Sequence, residues 1–310
     1  MPVQRIDNVH VAIGDPNQQL RSTFRRALKE AGASEVSEAG NLEGVVKLLD
    51  NIAIDLFMVD ADMEGNFCEI AQKIRNQALG KNPFVAVIAM TGIAEARSIQ
   101  KILGSGVDDL LIKPVSLDVV IDRIRNLIDA RKPFVVTHNY IGPDRRGVAA
   151  RTEKNPLVPV EVPNTLRAKA TGSTEDVQKM IVDAVSLLNG KKMERYSVEI
   201  GYLVKRVEMS QKSHKSIYEI RGDLERMKFV GRDLQRRMAG TAAEHAAYLA
   251  GSLVTVAERA AKSHDGPVPR DVELLVQLSA AIRHAFGSDE STVEAAMEIT
   301  ETIAKFADKT

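Results

Sequence analysis

Four polar residues stand where their chemistries could combine: Asp15, Asp60, Thr91 and Lys113. Asp15 comes just after the apolar run Val9–Ile13, and Asp60 ends the run that begins at Asp55. Thr91 follows Phe84–Met90, and Lys113, with Pro114, follows Asp109–Ile112. Two carboxylates supply hard oxygen ligands for a divalent cation such as Mg²⁺, while a hydroxyl and an ammonium bind phosphoryl oxygens. Any one of the four, alone, reads as an ordinary polar loop residue. Four in order, each at the end of an apolar run, describe a site for a cation and a phosphoryl group.

The elements that must position them alternate. Amphipathic helical patterns separate the runs: Leu20, Phe24 and Leu28 on one face, then Leu42 to Leu49, then Ile70, Ile74 and Ala78. Ala94 to Leu103 follows, and a last helix from Leu117 carries Val120, Ile124 and Leu127. A weaker strand, Glu35-Val36-Ser37-Glu38, completes five strand–helix units in about 130 residues. Apolar strands alternating with amphipathic helices imply a parallel sheet covered on both faces. The expected fold of residues 1–131 is α/β, a doubly wound five-stranded parallel sheet of flavodoxin-like type. Ligands of such sheets bind beyond the carboxyl ends of the strands, the edge that all four residues occupy.

This constellation resembles the receiver domain of two-component response regulators. The likeness covers residues 8 to 130 and rests on Asp55-Leu56-Phe57-Met58-Val59-Asp60, Met90-Thr91-Gly92 and Gly106–Pro114. It implies that Asp60 is the phosphoacceptor, Thr91 the switch hydroxyl and Lys113 the phosphate-pairing ammonium, with a cis bond at Lys113-Pro114. It also implies Mg²⁺ as cofactor. Two departures stand out. Receivers end the first strand with two adjacent acids, whereas this chain has Asp15-Pro16. A proline has no side-chain ligand, so Mg²⁺ would keep Asp15, Asp60 and the carbonyl of Asp62, whose carboxylate could also compensate. Leu110 stands where many receivers carry an aromatic that moves with the threonine.

Residues 132–170 change character, with prolines at 133, 143, 156, 159 and 163 and seven basic residues against three acids. Prolines so spaced favour extended or turn backbone. The segment reads as a basic linker, or as a strand of chain docked through Phe134, Tyr140 and Ile141. Its stretch Tyr140–Arg146 resembles one that follows receivers in some alphaproteobacterial signalling proteins.

From 171 to 310 the patterns are helical throughout. Val177, Ile181, Ala184 and Leu188 form one stripe, with Asn189-Gly190 as its expected end, and Tyr196, Ile200, Leu203 and Val207 form the next. Ile217, Ile220, Leu224, Met227, Gly231, Leu234 and Met238 alternate spacings of three and four, a heptad seam. Further stripes at Leu249–Ala260, Leu275–Phe286 and Val293–Ala307 bring the expectation to about six helices in an all-α bundle. The seam closes either within one chain or between two copies, as a homodimer. Tyr218-Glu219-Ile220-Arg221-Gly222 weakly resembles the motif of histidine phosphotransfer bundles, with Tyr218 in the histidine place. A tyrosine lacks the imidazole nitrogen, so a bundle of that kind would dock without relaying phosphate.

Composition narrows the rest. Lysine plus arginine (42) equals aspartate plus glutamate (42), so no global field steers the chain to nucleic acid or membrane. One cysteine, Cys68, excludes an intramolecular disulfide and a cysteine-cluster metal site. No apolar run reaches the length of a transmembrane helix, and a cytoplasmic location is expected. The basic cluster of Arg226, Lys228, Arg232, Arg236 and Arg237 is interleaved with Asp223, Glu225 and Asp233, which dilutes any DNA-binding field. No catalytic motif marks the helical half, so an enzymatic output is not expected. The expected function is that of a response regulator in a phosphorelay. It would accept phosphate on Asp60 from a histidine kinase or phosphotransfer protein and signal through protein contacts. A phosphorylation-independent pseudo-receiver scaffold, or a DNA-binding regulator, are the alternatives.

Overall fold

The structure is a computed structural model that describes residues 6–145, 159–213, 217–241, 243–263 and 267–285. They fall into two compact units, Met1–Leu188 and Asn189–Thr310.

The first unit is built on five strands: β1 (His10–Gly14), β2 (Glu35–Ala39), β3 (Leu56–Asp60), β4 (Ala86–Thr91) and β5 (Asp109–Ile112). All neighbours pair in parallel, in the order β2-β1-β3-β4-β5. Five helices alternate with them: α1 (Gln18–Glu30), α2 (Leu42–Asn51), α3 (Phe67–Arg75), α4 (Ala96–Leu103) and α5 (Leu117–Ala130). The expected sheet is therefore the observed one. Alternate strand residues feed two cores. Val11, Ile13, Leu56, Met58, Ile88 and Met90 pack with Phe24 of α1 and Ile124 of α5. Ala12, Phe57, Val59, Val87 and Ala89 pack with Val45 of α2 and Ile74 of α3. Local chemistry sets the helix starts: Asn17, Asn41, Asn66 and Ser116 each accept a backbone N–H in the first turn. One helix is shorter than its pattern. α3 stops at Arg75, Gln77 turns to φ +60°, and exposed Ala78 gives its expected core place to buried Leu79.

The stretch expected as a linker is packed over part of its length. β6 (Phe134–Val136) and β7 (Ile141–Pro143) form an antiparallel hairpin, and α6 (Thr165–Ala170) follows. Phe134, Val136 and Ile141 bury against Phe84 and Val160. Gly106 (φ +96°) and Gly142 let the hairpin backbone pass that of the α4–β5 turn. A Cβ on Gly106 would lie 2.7 Å from the Ile141 carbonyl, and one on Gly142 would lie 2.8 Å from the Gly106 Cα. Beneath the hairpin sits a buried ion cluster. Arg75, 2% exposed, donates to the carbonyls of Gly106, Pro83 and Val85 and to Asp108 Oδ2 at 2.7 Å. Arg131 donates to Asp108 Oδ1 at 2.8 Å, and both guanidinium groups lie within 5.2 Å of the Phe134 ring centroid. The proline-rich composition suggested solvated chain; four apolar side chains and two aromatic-stacked arginines outweigh it. Arg146, Arg151 and Lys154 of that stretch lie outside the described residues.

The second unit is helical. α7 (Val177–Lys212) carries the division between the units, and α8 (Ile217–Met238), α9 (Glu244–Lys262) and α10 (Pro269–Ala285) follow. The expected helix end at Asn189-Gly190 does not occur, and two stripes merge into one helix of 36 residues. A mid-helix glycine costs about 1 kcal/mol. Apolar contacts on both sides outweigh this, and Asn189 accepts a hydrogen bond from Arg237 Nη1 at 2.8 Å instead of capping. From Ile220 onward the heptad seam is buried: Ile220, Leu224, Met227, Leu234 and Met238 pack with Leu249 and Leu253 of α9 and Leu275 and Leu278 of α10. Gly231 admits Val254 and the Ala250 carbonyl, which a Cβ would meet at 2.6 and 3.1 Å. Tyr218 lies in the first turn of α8, but its side chain, like the Val293–Ala307 stripe, lies outside the described residues.

Candidate functional site

β1, β3, β4 and β5 end on one edge of the sheet, and the four singled-out residues stand there as the sequence implies. Asp15 and Thr91 are fully buried, and Asp60 is 6% exposed. Lys113 reaches back over the strand ends. Its Nζ lies 2.8 Å from Asp15 Oδ2 and 3.0 Å from Asp60 Oδ2, so one ammonium ties two carboxylates together. Burial works against the charge on Lys113, but hydrogen bonds and charge from Asp15 and Asp60 outweigh it and hold the ammonium above its ordinary pKa. The bond between Lys113 and Pro114 is cis.

The remaining carboxylate oxygens are held by backbone. Asp15 Oδ1 accepts from the Asn17 amide at 2.8 Å, and Asp60 Oδ1 accepts from the Asp62 amide at 3.1 Å. Arg21 donates from Nη1 to the Asp15 carbonyl at 2.6 Å and lies 3.4 Å from Glu38 Oε2. Neither Arg21 nor Asn17 stood out in the sequence, because each reads as a routine residue at a helix start.

Asp62 is placed differently from Asp15 and Asp60. Its side chain turns to the end of β4, where Oδ1 accepts from Thr91 Oγ1 at 2.7 Å and Oδ2 from the Gly92 amide at 2.6 Å. Thr91 Oγ1 also accepts from the Ile93 amide at 3.0 Å. The site is thus two linked groups, Asp15–Lys113–Asp60 and Asp62–Thr91–Gly92. Among the described residues no cluster of three or more His, Cys, Asp and Glu gathers as a metal centre. Asp15 and Asp60 nonetheless fit a hard cation by donor chemistry, since their oxygens already converge on one positive charge. Ile112, next to Lys113 in the chain, and Val119, in the first turn of α5, leave apolar surface in solvent, 47% and 42% exposed.

Comparison with known proteins agrees with this geometry. Residues 11–125 match the sequence profile described as the response regulator receiver domain. Residues 11–125 thus form a response regulator receiver domain, a module of two-component signalling. Over 116 residues, 37% of this chain, it is 29% identical to the CAI-1 autoinducer sensor kinase/phosphatase CqsS of Vibrio cholerae, covering 16% of that protein. Over 132 residues, 42% of this chain, it is 28% identical to a cyclic di-GMP phosphodiesterase of Thermotoga maritima, covering 34% of it. The chain therefore matches about a third or less of the length of these two relatives. A CheY-like receiver domain protein of Methanospirillum hungatei, solved by crystallography, aligns at 20% identity and a TM-score of 0.35, covering 38% of this chain and 91% of that one. Among the described residues no helix is long and apolar enough to cross a membrane.

Proposed function

We propose that this protein is a phosphorelay response regulator that accepts a phosphoryl group on Asp60. The observation that carries this reading is the Lys113 ammonium held between Asp15 and Asp60 beyond the strand ends. The donor is a histidine kinase or phosphotransfer protein. An Asp60 carboxylate oxygen attacks the phosphorus of a phosphohistidine whose ring is protonated on its other nitrogen; the P–O bond forms as the P–N bond breaks, and neutral imidazole leaves carrying that proton. Lys113 keeps a positive charge beside the phosphoryl oxygens throughout, since its partners favour the charged form. Asp15, Asp60 and the Asp62 carbonyl are the groups that would hold Mg²⁺, which when bound neutralises the charge that gathers between carboxylate and phosphoryl oxygens.

Signal output runs through protein contacts of the receiver and of the helical unit, with Ile112 and Val119 as exposed apolar surface of the receiver. Pro16, which withholds a second acidic ligand beside Asp15, supports the alternative of a scaffold that works without phosphate. Incubation of the full chain with Mg²⁺ and acetyl phosphate, read by intact mass, separates the two. One added phosphoryl group, absent in Asp60→Asn, is expected. An unmodified wild type at high donor and Mg²⁺ would leave the scaffold.

A further inference from the structure

Asp62 is exposed, yet both its carboxylate oxygens are engaged by β4 and the residue after it. The donors are the Thr91 hydroxyl and the Gly92 amide. A hydroxyl and a backbone N–H at a strand end are the kind of donors that bind an anionic oxygen, and charge-assisted bonds of this type are strong. The parallel register places Met90 beside Asp60, so this donor pair lies just past the acceptor residue on the adjoining strand. The Asp62 backbone amide also donates to Asp60 Oδ1 at 3.1 Å, which ties the Asp62 backbone to the acceptor carboxylate.

We propose that Asp62 is a resident anion, occupying the Thr91–Gly92 donor pair that phosphoryl oxygens on Asp60 would use. The proposal rests on the reading of Asp60 as phosphoacceptor. It gives Asp62 a positioning role distinct from metal ligation. Before phosphorylation, the carboxylate holds Thr91 and the start of the β4–α4 connection in the engaged arrangement. Phosphorylation then exchanges one anion for another at the same two donors. Two consequences follow. The incoming phosphoryl group has to displace a carboxylate of like charge, so acceptance is slowed. The β4–α4 connection changes little on phosphorylation, because its anchor is present in both states.

The test uses the full chain as wild type, Asp62→Asn and Asp62→Ala. The position is exposed, so neither change disturbs a core. Asparagine keeps an acceptor for Thr91 but turns an N–H₂ toward the Gly92 amide and carries no charge. Without phosphodonor, amide exchange at Gly92, read by NMR, is expected to be at least tenfold faster in Asp62→Ala than in wild type. With Mg²⁺ and acetyl phosphate, intact mass is expected to show phosphoryl uptake at least fivefold faster in Asp62→Ala, with Asp62→Asn between. Phosphorylation should then restore Gly92 protection in Asp62→Ala and leave wild type nearly unchanged. Unchanged Gly92 exchange in Asp62→Ala, or equal or slower uptake while phosphate is incorporated, overturns the resident-anion role alone. No uptake by either protein overturns the phosphoacceptor reading, and the proposal with it.

Discussion

Asp108→Asn is an isosteric change whose cost the structure sets. The Asp108 carboxylate is buried and accepts four hydrogen bonds. Oδ2 takes Arg75 Nη2 at 2.7 Å, the Val87 amide at 2.8 Å and Arg131 Nη2 at 3.1 Å, and Oδ1 takes Arg131 Nε at 2.8 Å. Asparagine keeps one oxygen and presents an N–H₂ to the donors on the other side. It also leaves the fully buried Arg75 guanidinium beside Arg131 with no counter-charge. Breaking a buried pair this way costs about 3–5 kcal/mol. For a unit of this size, each kcal/mol lowers Tm by roughly 2–4 °C, so a drop on the order of 6–20 °C is expected. The assay is a urea series on the full chain with hydrogen-exchange mass spectrometry, reading β4 peptides so that only the sheet is followed. The pH dependence adds a second check. Burial opposes ionisation of Asp108, but Arg131 and Arg75 outweigh it and hold its folded pKa below the ordinary value. Its stabilisation is therefore present above the unfolded pKa of about 3.9 and is lost as pH falls through the lower folded value. The gap between wild type and variant should narrow in acid over that window. A loss below about 1 kcal/mol near neutral pH, within the range of an exposed ion pair, would refute the reading of Asp108 as the buried counter-charge of Arg75 and Arg131.

Pro16→Asp should tighten Mg²⁺ binding by roughly thirtyfold in titration calorimetry, since a second anion about 4 Å from a doubly charged ion adds about 2 kcal/mol of attraction even at the dielectric of water. Gly231→Leu should destabilise the helical unit by about 1–3 kcal/mol in thermal melts followed at 222 nm, because its Cβ runs into Val254 and the Ala250 carbonyl. Lys192 is 2% exposed, and burial, with Arg237 nearby, lowers its pKa to about 8. The folded helical unit therefore holds fewer protons than the unfolded chain above that pH, and stability should rise between pH 8 and about 10.5. Lys192→Met should flatten that rise and raise stability at pH 7 by about 1 kcal/mol or more, measured by urea unfolding.

The sheet was legible because each of its signals is local. Four apolar runs, each closed by a polar residue, and a weaker strand pattern at Glu35–Glu38 mark the strands and the functional edge without long-range information. Asp15, Asp60, Thr91 and Lys113 could be read for the same reason, since a strand end has only one direction in a parallel sheet. Asp62 could not. Its place beside Asp60 in the chain suggested a ligand, but its side chain is set by Thr91 and Gly92, 29 and 30 residues away. Arg75 was equally hidden. A basic residue in the last turn of α3 reads as exposed, and nothing nearby reveals partners 31 and 33 residues further on. The merging of two helices at Asn189-Gly190 shows the reverse error, where a local stop signal lost to packing on both sides.

The hairpin of β6 and β7 bears on where this receiver can be cut. A fragment trimmed to the matched region, 11–125, would lack Arg131 and Phe134. Arg75 would lose the aromatic face above it, Asp108 would lose one of its two guanidinium partners, and Phe84 would lose the ring it meets at 6.1 Å. The boundary at residue 125 thus runs through a desolvated ion cluster and not through solvent. Grafting this module onto another output therefore requires carrying the hairpin and Val160 along, so the transferable piece is longer than the homologous one.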